Sequence, residues 1–200
     1  MTTSRVLLAV LLLVAAVLYL GPYRHRKGDE DALAKIAGVI AGREVRISCP
    51  GTLAAITEIG AEDGSVAFDA GGHPADVAKL SNGTCGHLRG LMHGQAAELD
   101  CLRAAPHCPR EVEEAAIAVN VLSHEAWHLA GVREEAIAQC YALQTNAATA
   151  VRLGATPEDA EALASFVVRD VQPALPSDYR SSDCHDGGPL DLRPDRGNWP

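Results

Sequence analysis

His124, Glu125 and His128 fall within five residues, His124-Glu125-Ala126-Trp127-His128, inside a stretch patterned as a helix. Residues four apart on a helix stand one above the other, about 6 Å between Cβ atoms, so both imidazoles can reach one tetrahedral Zn²⁺. Glu125 then stands one residue round the helix, beside such an ion rather than on it. From there its carboxylate can take a proton from a water that the metal has acidified and pass it to a leaving amine, which is the chemistry of peptide-bond hydrolysis. The competing reading is plainer: two partly buried helix histidines satisfied by neighbours, with Glu125 a surface carboxylate. A catalytic zinc also needs a third protein ligand and an open position. On a straight helix Glu135 would lie about 10 Å along the axis from His128, too far to share an ion. Gly131 changes that, because a glycine three residues after the second histidine can take a positive φ and turn the chain back. Either Glu134 or Glu135 then comes under the metal.

These residues need elements to hold them. Arg110 to Ala130 follows Pro109 and reads as a long helix, with Glu111, Glu113 and Glu114 where the helix dipole favours negative charge. Ile117, Val121, His124 and His128 share one face, while Leu122, Trp127 and Leu129 make other faces apolar, so the helix is expected to be buried on most sides. Asn120, one turn before His124, is a candidate to orient that imidazole. Glu134 to Leu153 reads as a second helix ending at Gly154, and Thr156-Pro157 opens a third that runs to about Val171. Pro173 to Pro200 is rich in Pro, Gly and Asp and reads as an irregular tail. Upstream, Asp31 to Ala41 has helical spacing. Glu44 to Cys49 alternates, and Ala55–Gly60 and Ser65–Asp69 flank Glu62-Asp63-Gly64, which predicts a small β hairpin or meander. Gly71 to Gly94 holds six glycines and reads as loops around at most a short helix near Leu88–Leu99. The fold class expected is α+β, mainly α.

The run HEAWHLAGVREEAIAQCYALQ, residues 124–144, resembles the zincin superfamily of metallopeptidases and covers about a tenth of the chain. HExxHxxGxxE, with Glu134 six residues after His128, is similar to metzincin spacing. In that group the third ligand is usually His and a Met-turn follows, whereas only Met1 and Met92 exist here. The helix beginning at Glu135 looks more like the short gluzincins, whose third ligand is a glutamate on the helix after the active-site helix. Their Glu-xxx-Asp pattern is absent, since Gln139 stands four after Glu135. The resemblance implies zincin-like helices around the HExxH helix, Zn²⁺ held by His124, His128 and Glu135 with Glu134 as the alternative, Glu125 as catalytic base, and a peptide or protein substrate.

Length and composition bound the rest. Two hundred residues suit one domain, and 26 acidic against 17 basic residues, with no basic stripe, make nucleic acid an unfitting partner. Val6 to Leu20 is continuously apolar, preceded by Arg5 and closed by Gly21-Pro22, so residues 1–23 read as a signal anchor or signal peptide. Residues 24–30 read as a linker and 31–200 as one domain with an irregular C-terminal tail. Arg24, Arg26 and Lys27 alone would keep the following chain cytoplasmic. Six cysteines after the apolar segment, with no CxxC, suit disulfides in an oxidising compartment instead. The expectation is therefore an extracytoplasmic domain, anchored to the cell membrane or secreted. Cys101–Cys108 and Cys140–Cys184 are the pairings expected. The second would bring the tail near Glu135, where Tyr179 or His185, with Asp186 beside it, could donate a hydrogen bond to a developing oxyanion. His73, His87, His93 and His107 lack metal spacing and are expected to cap loops or face solvent. The competing class of function is a disulfide-stapled extracytoplasmic binding or structural protein with a non-catalytic metal site.

Overall fold

The helix expected from Asp31 begins earlier. In the computed structural model, which describes residues 26–51, 63–94, 99, 101–104, 108–195 and 199, residues 26–41 are helical (α1), so residues 26–30 of the expected linker belong to this helix. The apolar segment at 6–20, the strand expected at 55–60 and His107 lie outside the described residues. Among those residues no helix is long and apolar enough to cross a membrane.

Leu33, Ile36 and Ala37 bury one face of α1, and the chain then enters a three-stranded mixed sheet. β1 (Arg46–Ser48) pairs parallel with β3 (Pro74–Leu80), which pairs antiparallel with β2 (Gly64–Phe68), giving the order β1-β3-β2. The hairpin is thus β2–β3, turned at Asp69–His73, with β1 added in parallel. The glycine-rich stretch from Gly71 is not mainly loop: it holds β3 and the eleven-residue helix α2 (Asn82–Met92). Gly83, Gly86 and Gly90 weaken helix propensity, but tertiary context overrides it. Ser81 caps the helix by accepting from the Thr84 amide, Leu88 and Leu91 are buried, and the Cys49–Cys85 disulfide ties the helix to the sheet.

The remainder is helical: α3 (Cys101–Ala104), α4 (Arg110–Leu129), α5 (Glu135–Arg152) and α6 (Pro157–Phe166), followed by a π turn at Val167–Val171 and short 3₁₀ turns at Gln172–Ala174 and Ser177–Tyr179. Thr156 caps α6 by accepting from the Asp159 amide. α4 packs against α2, α5, β2 and β3, which is why it is apolar nearly all round: Val112, Ala116, Val119, Leu122, Ala126 and Leu129 are all buried. Each fully buried leucine contributes roughly 1.5–3 kcal/mol relative to exposure. The expected pairs Cys101–Cys108 and Cys140–Cys184 are both formed, and with Cys49–Cys85 they leave no free cysteine. Three disulfides suit an extracellular or secreted protein. The architecture is α+β, mainly α, with the sheet against one side of α4.

Candidate metal centre

α4 ends in a Schellman turn. The Val132 amide donates to the Trp127 carbonyl at 3.1 Å and the Gly131 amide to the His128 carbonyl at 2.9 Å, with Gly131 at φ 103°. The chain reverses there, Glu134 takes the N-cap position of α5, and Glu135 starts that helix facing back toward α4. Glu135 Oε2 comes to 2.9 Å from His124 Nε2 and 3.3 Å from His128 Nε2, and the two Nε2 atoms are 2.9 Å apart. Glu134 stands outside this cluster. His124, His128 and Glu135 could hold a metal ion.

The hydrogens decide what that cluster is. Val132 O, placed by the same Schellman turn, lies 2.7 Å from His128 Nδ1. A carbonyl only accepts, so Nδ1 carries the proton, and in the neutral ring Nε2 presents its lone pair. For His124 a chain of amides leads in from the Tyr179 carbonyl, which accepts from Gln172 Nε2 at 3.3 Å. Gln172 Oε1 therefore faces Gln139 Nε2, at 2.9 Å, and Gln139 Oε1 faces His124 Nδ1, at 3.2 Å. His124 Nδ1 must donate, and in the neutral ring its Nε2 is bare as well. Glu135 is a carboxylate and at neutral pH an anion. Three lone-pair atoms within 2.9–3.3 Å of one another need positive charge between them. One proton bridges two such atoms. A cation held by bonds of about 2.1 Å in a tetrahedron serves all three, since its ligand atoms then lie about 3.4 Å apart. The N₂O donor set therefore fits a metal, and zinc is among the ions that take it.

Glu125, on α4, lies against β2: a Cβ on Gly64 would come within 2.7 Å of its Cγ and Oε1. Its side chain lines, with His124, His128 and Glu135, a cleft of about 400 Å³ between α4, β2 and the C-terminal turns. Val66 and Phe68 of β2 form one wall, and the Phe68 ring meets His128 edge-on at 5.9 Å. Tyr179 closes the other side, stacked on His124 at 5.6 Å between ring centroids. The Cys140–Cys184 disulfide holds this tail against α5, as expected, yet His185 and Asp186 do not reach the cleft; His185 Nδ1 sits 2.9 Å from the Asp186 carbonyl. Asn120 acts one step from His124: its Nδ2 donates to Gln139 Oε1 at 3.2 Å, and Asn146 donates to its Oδ1 at 3.1 Å. The histidines without metal spacing face carboxylates: His73 with Asp69, His87 with Glu114 and His93 with Asp29.

Sequence reasoning missed Gln139, the Val132 carbonyl, Gly64 and Phe68. Gln139 was findable, because it lies one helical turn after Glu135 and so shares its face. Gly64 and Phe68 had no local signal, since they reach the site from a strand about sixty residues earlier. Family models, curated proteins and solved structures contain no match to this chain.

Proposed function

We propose that the protein is a zinc-dependent metallopeptidase of the extracytoplasmic space, tethered by its apolar N-terminal segment or released from it. The observation that supports this most is the convergence of two imidazole Nε2 atoms and a carboxylate oxygen, with a second carboxylate, that of Glu125, beside them in an open cleft. His124, His128 and Glu135 hold the ion. When bound, zinc supplies Lewis acidity, lowering the pKa of a water to about 7 and polarising a carbonyl.

The chain's own residues do the rest. Glu125 accepts a proton from the attacking water, whose oxygen bonds to the carbonyl carbon. The C–N bond then breaks and Glu125 returns that proton to the leaving nitrogen, so the protons balance. Gly64 leaves room for the carboxylate in this position. Tyr179, which lines the cleft with its ring stacked on the His124 imidazole, is the side chain assigned to donate to the oxyanion. Val132 O and the Gln139 amide keep both histidines in the tautomer that ligates.

Elemental analysis of the chain produced in an oxidising compartment tests this reading. About one zinc per chain is expected, lost in His128→Ala and Glu135→Gln but kept in Glu134→Gln. Glu125→Gln should retain the metal and abolish peptide hydrolysis. Zinc retained with no hydrolysis by the native chain would leave a metal-stabilised binding domain, and a folded chain without zinc would overturn the proposal.

A further inference from the structure

The turn that brings Glu135 under the metal also presents Arg133 to the cleft. Arg133 is exposed, and among the described residues it has no carboxylate partner; what fixes it is aromatic. Its guanidinium carbon stands 5.6 Å over the Phe68 ring, a cation–π arrangement, and Phe68 in turn abuts His128. Gly72, at φ 82°, makes the room: a Cβ there would lie 2.9 Å from Arg133 Nη1. The other ionisable groups lining the cleft besides the histidines and Tyr179 are acidic, namely Asp63, Glu125 and Glu135, and no other Lys or Arg lines it among the described residues. A guanidinium held by an aromatic ring, with its fork unspent on any carboxylate among the described residues, is built to receive one from outside.

We propose that Arg133 selects substrates that carry a carboxylate close to the reacting bond. The inference rests on the peptidase reading for the bond and adds the class of substrate. The two ring contacts place the guanidinium within about 12 Å of the His128 ring. An extended peptide advances about 3.4 Å per residue, so the recognised anion lies within about three to four residues of the attacked carbonyl. Either a C-terminal carboxylate or an Asp or Glu side chain meets that requirement.

The experiment uses N-acetylated hexa-alanine peptides in three forms: free C-terminal acid, C-terminal amide, and amide with a single Asp at successive positions. Binding is measured by calorimetry on the zinc-loaded Glu125→Gln protein, and cleavage on the native chain, each with and without Arg133→Met. A carboxylate form should bind about tenfold more tightly than the neutral amide, with the difference abolished by Arg133→Met and partly kept by Arg133→Lys. The acid and Asp forms separate a terminal from a side-chain carboxylate. Unchanged zinc content and melting temperature in Arg133→Met show that the fold is intact. If the peptides are cleaved but acid, Asp and amide forms behave alike, the inference is overturned and the peptidase reading stands. Carboxylate-selective binding that depends on Arg133, without cleavage, would sustain the recognition site and remove the peptidase reading. No binding and no cleavage of any form would remove both.

Discussion

Glu125 occupies the place where a side chain on Gly64 would begin. Gly64 does not have a positive φ, so alanine fits the backbone there and the effect of adding a methyl is purely steric. Gly64→Ala should push the carboxylate by about 1 Å and lower peptide turnover by about a hundredfold, while zinc content stays at the native level. Metal analysis beside a kcat measurement checks this. Loss of zinc together with activity would mean that Gly64 supports the strand rather than the position of Glu125. At the same scale the pair of tautomers explains why a carbonyl and an amide belong to the site although neither is among the candidate metal ligands. Each spends its acceptor on Nδ1 and so leaves Nε2 free.

Among the elements, the turn between α4 and α5 decides whether there is a site. Gly131 at φ 103° is required by the Schellman geometry, and an L side chain there costs about 1–2 kcal/mol. Gly131→Ala should therefore lower the melting temperature modestly and weaken zinc binding far more, because it moves both Val132 O and Glu135. Titration with a zinc chelator reads the second effect. The tail depends on a different tie. Cys140–Cys184 closes a loop of 44 residues, and its removal costs about 4 kcal/mol in the chain-entropy picture. The double variant Cys140→Ala/Cys184→Ser should melt earlier and lose turnover through Tyr179, yet keep its zinc, since the ligands sit on α4 and α5. Loss of zinc in that variant would show that Gln172 and Gln139 transmit the tail's position to His124.

At the scale of the whole molecule, the N-terminal helix is clamped to the helix that follows the sheet. Asp29 of α1, buried, receives Arg89 Nε at 2.6 Å and faces His93 Nε2 at 2.9 Å, both from the end of α2. Burial pushes its carboxyl up, but the hydrogen bonds from His93 and Arg89 outweigh that and hold it below the ordinary value of 3.8. A depressed carboxyl contributes stability that is full above its unfolded value and is lost as the pH falls through its folded one. Asp29→Asn should thus melt well below the native chain at pH 7, and the gap should close below about pH 4. Protonation of His124, His128 and Glu135 affects both chains alike and cancels in the difference. A gap that persists unchanged at about pH 3 would assign the effect of the substitution to packing instead.

What the amino-acid order determined by itself was local. Helical spacing placed α4, α5 and α6; Gly131 marked the reversal; Thr156 marked a cap; and His124 and His128 marked a candidate metal-ligand pair because their geometry depends only on one helix. The Cys101–Cys108 pair was legible in its short loop, whereas Cys140–Cys184 had no local signal. Tertiary structure decided the rest, because it depends on surfaces far apart in the chain. Glycines that weaken a helix in isolation became part of α2 once Leu88 and Leu91 could be buried and Cys85 was tied to Cys49. Between Glu134 and Glu135, both adjacent to the turn, only the packing of α5 on α4 selects the one that faces the histidines. Gly64, Phe68 and Arg133 acquire meaning only when β2 lies against α4, since no local pattern connects a strand to a helix about sixty residues away.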